Sequence, residues 1–344
     1  MKRLLIVCYL LLTACDQNNT HKDAPMNPLT DINTRLAFTC KYQIIPEASV
    51  DTDVLFKYAR WLQKNNLVNR DKTVDAEIAR LYRIAAENGH YKASINLQNG
   101  ALRGRFALSS PERLRLSQQL IDAKVAAGYY FIAIYLEHGA AGLAQDPEMA
   151  LRYYRKAADE GNPQAQAFLG EKLFPAKRAP QVAMQMFRCA ALQGEGKAAN
   201  SLGIMLTIDQ KYQEAVEAFQ LGVAAGDETS SYALEKGFAG PAPTDRLYYL
   251  ALEKDPERAR RYEQIGAVLA KYSWAQPVVP EINDIVPLPP APLPEWNGKL
   301  KWLEEREANV PPPKPSAALI EKLAKEKQLN PATGRPLPTS PDFE

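Results

Sequence analysis

Large and small apolar residues alternate with a helical period through the middle of the chain. In "ALRYYRKAADEGNPQAQAFLG", residues 150–170, Tyr154, Ala157 and Ala158 lead to Gly161, and Ala165, Leu169 and Gly170 follow it. The same spacing recurs at Tyr82, Ala85, Ala86 and Gly89, at Phe187, Ala190, Ala191 and Gly194, and at Phe219, Gly222, Val223 and Gly226. A weaker copy ends at Gly128, so successive glycines stand 39, 33, 33 and 32 residues apart, the mark of an internal repeat. Beyond each glycine a second half begins: Ala198, Leu202 and Gly203 follow Gly194, Ile132 and Leu136 follow Gly128, and Ala93 and Leu97 follow Gly89. Spacings of i, i+4 predict a helix with one apolar stripe in each half. The glycine supplies the left-handed residue that ends a helix and turns the chain. Asp146, Pro147 and Glu148 mark a helix start, with a cap, a first-turn proline and an acid at the positive end.

These positions have a physical logic. Alanine and glycine let two antiparallel helices approach closely, and Tyr, Phe and Leu fill the gap to the next pair. Each such side chain contributes about 1.5–3 kcal/mol when buried. One hairpin cannot bury its face alone, whereas a stack of them can. The expected fold is all-α, an α-solenoid of helical hairpins. The pattern A-x-x-x-L-G followed by D-x-x-x-A-x-x-Y-Y-x-x-A-A-x-x-G resembles the Sel-1-like repeat, a relative of the tetratricopeptide repeat, over roughly residues 70–255. Some members of that family carry a disulfide within each repeat; this chain lacks those cysteines.

Residues 245–272 are expected to form a final helix pair, with Tyr248, Ala251 and Leu252 on the repeat pattern and Asp255-Pro256-Glu257 starting the second helix. Arg258, Arg260, Arg261 and Glu263 give that helix the polar side of a cap. Of the 26 prolines, 15 lie after residue 276, and "VPLPPAPLPEWNGKLKW" excludes helix and central strand. Such a tail reads either as a disordered Pro-rich linker or as an ordered extended segment lying over the solenoid. The apolar residues Ile285, Val286, Leu288, Leu293, Trp296, Leu300 and Trp302, interleaved with the prolines, favour the second, and residues 316–328 read as a short amphipathic helix. Arg258, Arg261, Tyr262, Ile285, Val286, Pro287, Leu288, Pro289, Pro290, Ala291, Leu293, Pro294, Trp296 and Gly298 resemble a C-terminal domain of unknown function that follows Sel-1-like repeats in some proteobacterial lipoproteins.

The N-terminus reads differently. Lys2 and Arg3 precede an apolar run from Leu4 to Leu12, then Leu12-Thr13-Ala14-Cys15. This is a signal peptide pattern, and the run is too short for a mature membrane span. Cys15 resembles the lipidated cysteine of the bacterial lipobox; the plain alternative is a secretory signal that contains a cysteine. Asp16 resembles the residue that retains such lipoproteins at the inner membrane. The domain expectation is therefore a signal peptide over 1–14, a lipidated tether and lead-in over 15–50, helical repeats over 51–275 and a Pro-rich C-terminal segment over 276–344. Two further cysteines, Cys40 and Cys189, face an oxidising compartment on this reading, either as a disulfide or as small buried residues.

Net charge is +2 with no Lys/Arg run, which offers nucleic acid no footprint. The three histidines, His21, His90 and His138, are isolated, no His/Cys/Asp/Glu set has metal spacing, and there is no G-x-S-x-G elbow. Gly194, Gly196 and Lys197 follow no strand and read as a repeat turn rather than a phosphate loop. The residues thus point to no enzyme and no cofactor, and what remains is a surface. Positions three and seven after each glycine, namely Phe131 and Tyr135, Gln164 and Phe168, Lys197 and Ser201, either face the concave wall as a partner-binding site or pack between repeats. The family resemblance implies an immunity protein that neutralises a type VI secretion phospholipase effector, held at the periplasmic side of a Gram-negative envelope by its N-terminal lipid. A scaffold of an envelope complex is the alternative, and a hydrolase a third reading that the missing catalytic set argues against.

Overall fold

The computed structural model describes residues 36–174 and 179–342. Twelve helices make up the repeats: α1 (Val50–Asn65), α2 (Lys72–Glu87), α3 (Tyr91–Leu102), α4 (Ser110–Asp122), α5 (Ala127–His138), α6 (Pro147–Asp159), α7 (Pro163–Leu173), α8 (Pro180–Ala191), α9 (Gly196–Ile208), α10 (Tyr212–Ala224), α11 (Glu228–Phe238) and α12 (Pro256–Lys271). Each packs on its neighbours in chain order, and helices of like parity also touch along the later repeats, giving the two layers of an α-solenoid.

The turn from each even helix to the next odd one shows why the glycines recur. Gly89, Gly161, Gly194 and Gly226 all have left-handed φ, from 83° to 101°. The residue after each donates its backbone N–H back into the helix just ended: His90 to Ala85, Asn162 to Ala157, Glu195 to Ala190 and Asp227 to Gly222, at 2.9–3.1 Å. Three of these residues then cap the next helix, His90 through Nδ1 to the Ala93 N–H, Asn162 to that of Ala165, and Asp227 to that of Ser230. One residue therefore satisfies orphan groups of two helices.

Gly128 departs from the expectation. It lies in the first turn of α5, and the left-handed turn is made by Lys124 at φ 60°. The glycine serves a different need: a Cβ there would come within 2.5 Å of the Ser117 carbonyl oxygen on α4. Inside the hairpins, Gly170 meets the Phe187 ring and Gly203 the Phe219 ring, where a Cβ would fall 2.7 and 2.5 Å from ring carbons. This is the close approach that the small residues anticipate.

Residues 245–252 do not form the expected helix. Asp245 Oδ1 accepts from the Leu247 and Tyr248 N–H groups, and Ala251 is left-handed. Pro241 and Pro243, just upstream, suit a turn and not a helix. Leu250 takes the place of the missing helix by packing on Gly237, and α11 pairs directly with α12.

The tail is ordered. After a 3-10 turn (Ser273–Ala275), Val279 donates to the Ala224 carbonyl at 2.9 Å, and Val279, Ile282, Ile285, Val286 and Leu300 join the core of α9–α12. Arg258 and Arg261 on α12 are buried, contrary to a solvent-facing cap. Arg261 donates to the Ile285 and Pro294 carbonyls at 2.7 and 2.8 Å, and Arg258 to those of Pro287 and Ala291. These guanidinium groups satisfy carbonyls that a Pro-rich backbone cannot pair with itself. Past α13 (Ile282–Ile285), the chain forms α14 (Lys301–Ala308), whose Arg306 stacks over Trp274 and Trp302. Asn309 then exchanges amide hydrogen bonds with Asn65 on α1 at 2.9 and 3.0 Å and accepts from Trp61 Nε1 at 3.0 Å. Finally α15 (Ala317–Glu326) places Ile320, Leu323 and Ala324 in the core of α1 and α2. The tail thus joins the last hairpin to the first and closes the solenoid into a ring.

A Cβ at Gly226 would run into the Pro277 carbonyl oxygen, whereas at Gly194 nothing lies within 4 Å, although both residues are left-handed. Gly226→Ala should therefore cost about 2–4 kcal/mol in thermal unfolding and Gly194→Ala about 1 kcal/mol, since only the first adds a clash to the backbone strain.

Candidate functional site

The ring encloses a cavity of about 870 Å³. Its wall is built mainly from the odd-numbered helices: Phe56, Arg60 and Gln63 of α1, Lys92, Asn96 and Asn99 of α3, Ala127, Tyr130 and Phe131 of α5, and Gln164 of α7. Trp274 and Gln276 reach it from the start of the tail, and Arg103 and Arg105 from the loop after α3. That loop exists because the second hairpin is open: Phe106, not an aromatic of α4, fills the space on Gly100.

An extended stretch, residues 36–48, crosses the even-to-odd turns and ends at the cavity. Cys40 is bonded to Cys189 of α8 with a Cα–Cα separation of 5.6 Å. Around that bond, Arg155 donates to the Leu36 and Ala37 carbonyls, Gln166 to the Lys41 carbonyl at 3.0 Å, and the Gln43 N–H to Gln193 at 2.8 Å. Tyr42 passes so close to Gly161 that a Cβ there would lie 2.5 Å from its carbonyl carbon. Gln43 and Ile45 then line the cavity. This part of the expected lead-in is a packed element of the fold. Cys15 and Asp16 lie outside the described residues.

The cavity is charged in one sense. Arg60, Lys92, Arg103 and Arg105 line it against one carboxylate, Glu195. Elsewhere arginines meet acids: Arg83 pairs with Glu112, Arg115 with Glu87, Arg188 with Glu214 and Arg261 with Glu257. None of the four cavity cations has a carboxylate within ion-pair distance among the described residues. Arg105 also holds its Nη1 buried without a hydrogen-bond partner. Glu195 accepts from Gln164, and burial raises its pKa.

The expected wall residues separate into groups. Phe131 and Tyr135 are both buried, and Tyr135 does not line the cavity, a correction to its partner-facing reading: it directs its hydroxyl to Gln98 Oε1 at 3.0 Å, and burial pushes it up to about 12. The cause is the misplaced turn. Counted from Lys124, positions three and seven are Ala127 and Phe131, which both line the cavity. The Phe168 ring lies tilted against Tyr154, centroids 4.1 Å apart, between α6 and α7, so it too packs inside the solenoid. Gln164 is exposed at the cavity rim, while Lys197 is exposed and Ser201 half-buried away from the lining. Sequence reasoning missed the cations. Lys92 and Asn96 do stand at positions three and seven after Gly89, so the same rule applied to that degraded repeat finds them.

His90 is buried against Phe56, with ring centroids 4.3 Å apart and Nε2 3.7 Å from Asp53 Oδ1. Burial holds its pKa below the usual value despite the opposing pull of Asp53. Its Nδ1 must stay unprotonated to cap α3. The unfolded chain therefore takes up this proton first as the solution is acidified. Stability should fall by up to about 1.4 kcal/mol per pH unit from roughly pH 7 down to the lowered folded pKa. His90→Asn, which keeps a capping acceptor, should flatten the pH dependence of the melting temperature. Among the described residues no group of three His, Cys, Asp or Glu is arranged to hold a metal ion, and no helix is long and apolar enough to cross a membrane.

Comparison with known proteins places this architecture. Residues 126–162 and 163–195 each match the Sel1 repeat, and residues 230–337 match a domain of unknown function, DUF6396. No curated protein matches the chain. Immunity protein PA5088 from Pseudomonas aeruginosa superposes with a TM-score of 0.57 at 25% identity, over 74% of this chain and 95% of that one. PA5086 from Pseudomonas aeruginosa gives 0.54 at 25% identity, over 74% and 96%. Immunity protein PA5087 from the same organism gives 0.55 at 23%, also over 74% and 96%. The chain is a Sel1-repeat α-solenoid whose last hairpin and returning tail carry a DUF6396 domain.

Proposed function

We propose that this protein is an immunity protein that binds and neutralises a phospholipase effector delivered by a type VI secretion system. On this reading it is lipidated at Cys15 and faces the periplasm of a Gram-negative cell, at the inner membrane in keeping with Asp16. The observation that carries the reading is the likeness to immunity protein PA5088, which spans 95% of that chain and 74% of this one. The signal-like N-terminus supports the placement. A tether raises the inhibitor's local concentration at the membrane such a toxin attacks.

The test is co-expression with a type VI phospholipase effector from the same genome, directed to the periplasm. Cells carrying the wild-type protein should survive and the lipase should co-purify with it. Cys15→Ser should release the protein from the membrane fraction and weaken protection. Death of cells making abundant wild-type protein, with no co-purification, contradicts the proposal.

A further inference from the structure

We propose that the cavity inside the ring receives an acidic segment of the partner, a loop or chain end rich in Asp and Glu, so that the partner threads into the ring and does not dock on its outer wall. This deepens the immunity reading and rests on it for the partner's being a protein.

The argument is charge complementarity. The chain as a whole is nearly neutral at +2, yet Arg60, Lys92, Arg103 and Arg105 converge on one cavity that offers a single carboxylate. Most arginines of the outer shell and of α12 are neutralised by an acid on the same or an adjacent helix, and these are not. Four unpaired cations in one concavity repel one another, an arrangement that an incoming anion relieves. Arg105, which lines this cavity, also keeps its Nη1 without a hydrogen-bond partner. Two aromatics, Tyr130 and the 45% exposed Trp274, line the same cavity, and aromatic and arginine side chains together are enriched at the centre of protein interfaces. The opening also has fixed walls. The Cys40–Cys189 bond holds the extended stretch at one side, and the Asn309–Asn65 amide pair holds the tail to α1 at another. A preformed receptor loses little entropy on binding.

The experiment uses the full chain purified in detergent, titrated with the lipase of the co-expression test. Arg60 is half-buried and Arg103 exposed, so Arg60→Gln/Arg103→Gln should fold normally. The double variant should bind about thirty-fold more weakly and lose most of the salt dependence, whereas Arg188→Gln, on the outer face, should stay within about two-fold of wild type. A double variant that binds as tightly as wild type overturns the cavity proposal and leaves the immunity reading intact. If the lipase does not bind even the wild-type chain, it is the immunity reading that fails, and a labelled peptide, acetyl-Glu-Asp-Tyr-Glu-Asp-Phe-Glu-amide, decides the cavity. Saturable anisotropy that disappears in the double variant and in the Gln/Asn version of the peptide supports the proposal. Absence of peptide binding overturns it, as does equal competition by inorganic phosphate or phosphatidylglycerol vesicles, which would make the cavity a general anion site.

Discussion

Loss of the Cys40–Cys189 bond should cost about 3–5 kcal/mol of stability, measured by guanidinium unfolding of the Cys40→Ser/Cys189→Ser variant or of wild type under reductant. The bond spans a sequence separation of 149 residues, so in the chain-entropy account it removes a large part of the unfolded chain's freedom. The structure adds a local reason. The stretch from Leu36 to Ile45 belongs to no helix, and its non-covalent contacts to the solenoid are scattered: a few hydrogen bonds, the exposed Lys41–Glu160 ion pair and the packing of the half-buried Leu36, Phe38 and Ile45. Without the covalent pin the stretch should peel from the turns at Gly161 and Gly194, so its amides should exchange much faster than those of α7. A variant that unfolds at the wild-type denaturant midpoint would show that the non-covalent contacts hold the segment unaided.

Removal of the tail should have a still larger effect. A chain ended after Ala275 loses Val279, Ile282, Ile285, Val286 and Leu300 from one end of the solenoid and Ile320, Leu323 and Leu329 from the other, all buried. At about 1.5–3 kcal/mol each, an upper bound for burial relative to an extended chain, their sum reaches or exceeds the ~5–15 kcal/mol net stability of an ordinary domain. It also leaves Arg258 and Arg261 without the carbonyls they serve. The truncated chain should aggregate or melt without cooperativity in circular dichroism. A cooperative melt close to that of the full chain would mean that the tail only decorates a self-sufficient solenoid.

The repeats were legible because their turns leave a chemical trace: a left-handed residue that is nearly always glycine, followed by a residue that caps the next helix. Where the trace is missing, the reading slipped. Lys124 adopts the left-handed turn without announcing it, and Gly128, four residues on, took its place in the register and carried Tyr135 with it to the wrong face. Tyr248, Ala251 and Leu252 kept the repeat's spacing, but the nearby prolines and the Asp245 turn decided against a helix. The tail's order was readable from the apolar residues between its prolines; its destination was not. The contacts that close the ring join Trp61 and Asn65 to Asn309, across more than two hundred residues, and no local pattern encodes such a pairing. For the same reason the cavity's cations were missed, since they come from the degraded first repeats and an irregular loop and meet only when the ring is closed.

The account stands on one claim, that a helical ring closed by its own tail acts through contact with a protein and not through chemistry of its own. Titration of a type VI phospholipase effector's phospholipid hydrolysis with the purified chain tests it most directly. The account predicts that activity falls linearly and reaches baseline at an equimolar ratio, and undiminished hydrolysis at a large molar excess of the protein would contradict it.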